Sequence, residues 1–66
     1  MAIKNQLKKF RKQEDITQAE LARELDVSRQ TINAIETGKY DPSLELALKI
    51  ADFFNERVEE LFKLEK

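Results

Sequence analysis

Gln18-Ala19-Glu20-Leu21-Ala22-Arg23-Glu24-Leu25-Asp26-Val27-Ser28-Arg29-Gln30-Thr31-Ile32-Asn33-Ala34-Ile35 is the stretch that decides how this chain folds. Leu21, Ala22 and Leu25 recur at the spacing of one helical face, and Ile32 and Ile35 do so again after the link Asp26-Val27-Ser28. Each helix carries its own start signal. Thr17 is placed as an N-cap with Glu20 three residues on, which is a capping box, and Ile16 can staple against Leu21. Ser28 repeats the N-cap, with Val27 and Ile32 in the staple positions. So short a link, with Val27 turned inward, forces the two helices to cross steeply. At that crossing Ala22 must be small, while Leu21, Leu25, Val27, Ile32 and Ile35 fill the wedge. Arg29, Gln30 and Asn33 then project from the first turn and outer face of the later helix.

The pattern extends outward on both sides. Upstream, Ile3, Leu7 and Phe10 sit at i, i+4 and i+7, which predicts a first helix over residues 3–13. Downstream, Gly38 supplies a left-handed residue to end the third helix, and Tyr40-Asp41-Pro42-Ser43 is a turn. Ser43 caps a fourth helix whose Leu44, Leu46, Ala47, Leu48, Ile50, Ala51, Phe53 and Phe54 are apolar on more than one face. That helix is expected at the centre of the core. Asn55 provides a second left-handed stop, and Val58, Leu61 and Phe62 form a short fifth amphipathic segment. No repeat, linker or low-complexity tract interrupts the chain. The expected architecture is a single all-α domain over residues 1–66, with five helices and a helix-turn-helix over about residues 17–37.

Composition narrows the function. A chain of 66 residues buries only about 60% of the surface it exposes when unfolded, which leaves no room for a second ligand or catalytic domain. It has no Cys and no His, so disulfides, thiolate metal sites and the commonest general base are all missing. No catalytic residue, metal or cofactor is expected, and an enzyme is disfavoured because no nucleophile–base pair can be assembled. Glu59 and Glu60 fall on a polar helix face and read as solvated surface. The net charge is −1, yet it is unevenly spread. Residues 1–40 carry eight basic against six acidic side chains, and residues 41–66 carry four against seven. No apolar run approaches the roughly 20 residues that cross a bilayer, and no signal-peptide pattern opens the chain, so a cytoplasmic protein without membrane contact is expected.

Gln18-Ala19-Glu20-Leu21-Ala22, Val27-Ser28-Arg29-Gln30-Thr31-Ile32, Glu36-Thr37-Gly38-Lys39 and Pro42-Ser43-Leu44 together resemble the XRE family, the Cro/cI-type helix-turn-helix regulators with a lambda-repressor-like fold. The resemblance runs from about Ile3 to Phe62 and marks a minimal member. It implies that Gln18 bonds a phosphate and braces the recognition helix. It also implies that Ser28, Arg29, Gln30, Thr31 and Asn33 face DNA and that Lys39 approaches the backbone. Arg29 suits guanine O6/N7 and Gln30 suits adenine N6/N7. Arg11 and Glu36 match a pair that forms a buried salt bridge in related phage repressors. Three positions depart from the family: Asp26 stands where Gly is frequent, Ala34 occupies a base-contact position, and Glu56-Arg57 replaces an apolar residue followed by Ser.

The expected function is a sequence-specific transcriptional regulator of double-stranded DNA, a repressor that inserts its third helix in the major groove. Phe53, Phe54, Phe62 and Leu64 exceed what so small a core can take. They suggest a homodimer built by the fourth helix, the fifth segment and the C-terminal tail, set on an inverted-repeat operator. The alternative is an antitoxin-like or adaptor module that uses the same fold to hold a protein partner, motivated by the acidic C-terminal half.

Overall fold

The computed structural model describes residues 2–65. Five helices follow in the expected order: α1 (Leu7–Gln13), α2 (Gln18–Leu25), α3 (Arg29–Glu36), α4 (Leu44–Phe54) and α5 (Val58–Leu61). They are framed by two short strands, β1 (Ala2–Asn5) and β2 (Phe62–Glu65), which pair antiparallel with Ile3 opposite Leu64 and Lys4 opposite Lys63.

That ribbon corrects the all-α expectation. Ile3 was expected on the first helix, but the helix begins only at Leu7, and Ile3 lies on β1. The cause is local. Asn5 Oδ1 accepts the Leu7 N–H at 3.2 Å, a side-chain bond that suits a helix start and leaves the preceding residues extended. At the other end Phe62-Lys63-Leu64-Glu65 alternates apolar and polar, the period of a strand. Phe62 therefore leaves the fifth helix after four residues and enters β2.

The start and stop signals otherwise act where the sequence places them. Thr17 Oγ1 accepts the Glu20 N–H at 3.0 Å, and Glu20 returns the bond to the Thr17 N–H at 2.8 Å. Ser28 and Ser43 accept the N–H groups of Thr31 and Leu46. Asp26 and Asn55 adopt the left-handed conformation at the ends of α2 and α4, and Gly38 does so beyond α3 with φ +79°. Asp15 is left-handed as well, a turn the sequence reading did not single out. Removing the Thr17 hydroxyl leaves a first-turn N–H of α2 without its partner. Thr17→Ala is expected to cost about 1 kcal/mol, lowering the melting temperature by roughly 4–8 °C. Thr17→Ser should melt like the parent in the same circular-dichroism experiment, and an unshifted Thr17→Ala would refute the assignment.

The core gathers around the α2–α3 wedge. Leu7, Leu21, Ile32, Ile35, Ile50 and Leu61 are fully buried, joined by Ala22, Leu25, Leu46 and Ala51. Ile16, Val27, Phe10, Phe54, Val58 and Phe62 pack against this set while staying partly exposed. Of the apolar residues on α4, only Leu46, Ala47, Ile50 and Ala51 are buried; Leu44, Leu48 and Phe53 reach solvent. One helix presents one face inward, and α2 and α5 pack against that face. Phe54 sits between, its ring 6.0 Å from Phe10 and edge-on to Phe53.

Candidate nucleic-acid interface

The site is built on α3, which is anchored beneath by a side-chain network. Arg11 on α1 meets Glu36 at the end of α3 with a 2.6 Å bond from Nε to Oε2 and a second from Nη2 to Oε1. The pair is buried, its side chains 11% and 3% exposed. Arg11 Nη1 also donates to the Ile16 carbonyl, so one guanidinium ties α1 to the entry of α2 and to α3. Burial alone pushes the Glu36 carboxyl up. The hydrogen bonds from Arg11 and Gln18 and the nearby charges of Arg11 and Lys8 outweigh that, and the group is held below its ordinary value.

Gln18, the first residue of α2, is half-buried and completes the network. Its Nε2 donates to Glu36 Oε1 at 3.0 Å and to Asn33 Oδ1 at 3.3 Å. The bracing role implied for Gln18 is thus present as two bonds into α3. Above it the outer surface of α3 is polar. Arg29, Gln30 and Asn33 are exposed, and together with Gln18 they line one open groove. Arg29 also borders a second depression, shared with Arg11, Lys12, Asp15 and Thr17. Among the described residues, neither Arg29 nor Lys39 makes an ion pair.

Ser28 and Thr31 are engaged with each other. The Ser28 hydroxyl caps α3 and lies 2.9 Å from the Thr31 hydroxyl, and half-buried Thr31 faces a different depression that holds Tyr40 and Lys49. Lys39 is exposed just past Gly38, in a loop tethered to α3 because the Lys39 and Tyr40 N–H groups both donate to the Ala34 carbonyl. Lys39 lines neither groove bordered by Arg29.

One positioning residue escaped the sequence reading. Asn5 Nδ2 donates to the Ile35 carbonyl at 2.8 Å while its Oδ1 takes the Leu7 N–H, so β1 pins the far end of α3 and the start of α1 together. An Asn shortly before an amphipathic helix signals a helix start. Nothing local signals its bond to a residue 30 positions away.

Two short helices crossing at a left-handed Asp26 turn, with the second held from below and polar above, define a helix-turn-helix domain. The helix-turn-helix family model matches residues 7–61, and the chain belongs to that family, of the XRE type. An uncharacterized HTH-type transcriptional regulator of Methanocaldococcus jannaschii is 58% identical over 60 residues, covering 91% of either chain. One from Bacillus subtilis is 44% identical over 64 residues, covering 97% of both. Among solved structures, the SOS-response transcriptional repressor LexA from Eubacterium rectale superposes with a TM-score of 0.81 at 30% identity over 91% of this chain. The chain spans 64% of that LexA structure.

Proposed function

We propose that this helix-turn-helix regulator is a sequence-specific repressor that lays α3 in the major groove of double-stranded DNA. The observation that carries the reading is the outer face of α3. Arg29, Gln30 and Asn33 stand exposed side by side on a helix braced from below by Gln18 and the Arg11–Glu36 pair. Arg29 reaches guanine O6 and N7, and Gln30 reaches adenine N6 and N7. Asn33 meets a flanking edge, and the paired Ser28 and Thr31 hydroxyls, beside the neighbouring depression, contact phosphate. Both Gln18 amide hydrogens are directed at protein oxygens, so Gln18 meets phosphate through its backbone N–H in the first turn of α2.

Ile3, Leu44, Leu48, Phe53 and Leu64 expose large apolar side chains, which supports a homodimer on DNA. Two recognition helices would then enter the groove one turn, about 34 Å, apart on an inverted repeat. The cytoplasm, where such an operator lies, is the expected compartment.

Selection of random duplexes by the purified protein at about 150 mM salt tests the reading. Enrichment of half-sites about 10 base pairs apart supports both DNA reading and the dimer. A single half-site keeps the regulator and removes the dimer, and no enrichment overturns the reading in favour of a protein partner. Lys39→Ala is expected to weaken binding evenly across sequences and to reduce the salt slope by about 1. A loss confined to one base pair would instead make Lys39 a base reader.

A further inference from the structure

The geometry points to Asn33 as a donor-only base reader, locked by Gln18 so that it selects guanine and refuses cytosine, without the two-bond grip on adenine. The inference rests on the DNA-binding reading above and specifies one position of the site it recognises.

The lock follows from counting hydrogens. Glu36 is held ionised by Arg11, so its oxygens only accept. Gln18 must therefore present Nε2 to it, which fixes the orientation of the Gln18 amide. The second Nε2 hydrogen is directed at Asn33 and requires an acceptor there, so Asn33 turns Oδ1 inward. The reversed Asn33 amide would set two N–H donors against each other. What remains for the exposed side of Asn33 is Nδ2, for which the described residues offer no partner.

An Asn grips adenine by placing Oδ1 on N6 and Nδ2 on N7 side by side. With Oδ1 facing Gln18, that paired presentation is given up. The outward amide can only donate. Guanine offers two adjacent acceptors on its major-groove edge, O6 and N7, whereas cytosine offers an N4 donor and repels it. The chain Arg11–Glu36–Gln18–Asn33 thus carries a buried charge's orientation up to the DNA-facing surface. Gln18 and Glu36 act here as positioning residues.

The test compares base preferences at every position for the wild type, Asn33→Ala and Gln18→Ala, by competition with duplexes carrying single base-pair changes. The base pair whose preference Asn33→Ala abolishes is the one Asn33 faces. There the wild type should favour guanine over adenine by about threefold to tenfold, the size of one hydrogen bond. Gln18→Ala frees the Asn33 amide to rotate, and adenine should become as good as guanine at that base pair alone. A purely structural role for Gln18 would weaken all positions together. Circular dichroism checks folding of each variant, and the wild-type against Asn33→Ala comparison decides the base preference should Gln18→Ala fold poorly. Adenine preferred by the wild type, an unchanged profile in Asn33→Ala, or an unchanged profile in folded Gln18→Ala each overturns the inference while leaving DNA reading intact. A wild type that selects no sequence overturns the DNA reading and this inference with it.

Discussion

Glu36→Ala is expected to remove a large share of the stability of the domain. The Arg11 guanidinium would stay in a pocket where it is 11% exposed, with its two carboxylate bonds gone. Breaking a buried ion pair from one side costs about 3–5 kcal/mol. The whole stability of a 66-residue chain is about 3–10 kcal/mol. At roughly 4–8 °C per kcal/mol, the melting temperature should fall by more than about 12 °C. Replacing both partners, Arg11→Met with Glu36→Leu, should recover most of the loss, because no charge is then stranded. A melting shift below about 5 °C for Glu36→Ala would show that the pair is not a structural linchpin.

Acid should reproduce part of that effect in the unaltered protein. The Glu36 carboxyl is more acidic folded than its ordinary value, so the unfolded chain binds this proton more readily. The stabilisation is complete above the ordinary carboxylate value of about 4.3 and is lost as pH falls from there through the folded value. The double replacement should lack this component of the acid dependence. Melting curves that lose stability equally in both proteins below about pH 4 would place the acid sensitivity elsewhere.

Arg29→Ala is expected to cost about 1–3 kcal/mol on the selected operator and to relax the preference at a single base pair. The side chain is exposed in the first turn of α3 and makes no ion pair within the described chain, so its removal should leave the fold alone. Affinity for unrelated duplexes should drop far less, since only one positive charge is lost. Competition binding over single base-pair variants separates the two effects. Undiminished discrimination at every position would remove Arg29 from the base-reading set.

Much of this architecture was legible because its signals are short. The Thr17–Glu20 box, the Ser28 and Ser43 caps and the Asn55 stop each act within three residues, so side-chain chemistry alone places them. The wedge residues were legible from periodicity. The ribbon was not, since Ile3 and Leu64 are neighbours only after the intervening helices fold. A four-residue strand also carries too little pattern to outvote a helical stripe. The multiple apolar faces of α4 were real, but the sequence could not say which one the other helices would cover. At the site, the exposed residues of α3 followed from helical geometry and the Arg11–Glu36 pair from resemblance. The Gln18–Asn33 bond and the Asn5–Ile35 bond join side chains to partners on other elements, and only the folded chain brings them together.

The pairing of Ala2–Asn5 with Phe62–Glu65 also sets an order of events in time. Every helix closes through contacts a few residues apart, whereas this ribbon must close a loop of nearly the entire chain, and its Lys4–Lys63 pair sets like charges opposite one another. It is therefore expected to be the last element to form and the first to open. In deuterated solvent the ribbon amides should exchange well before those of Ile32 and Ile50. The domain should therefore open at its seam more often than α3 comes loose from the core.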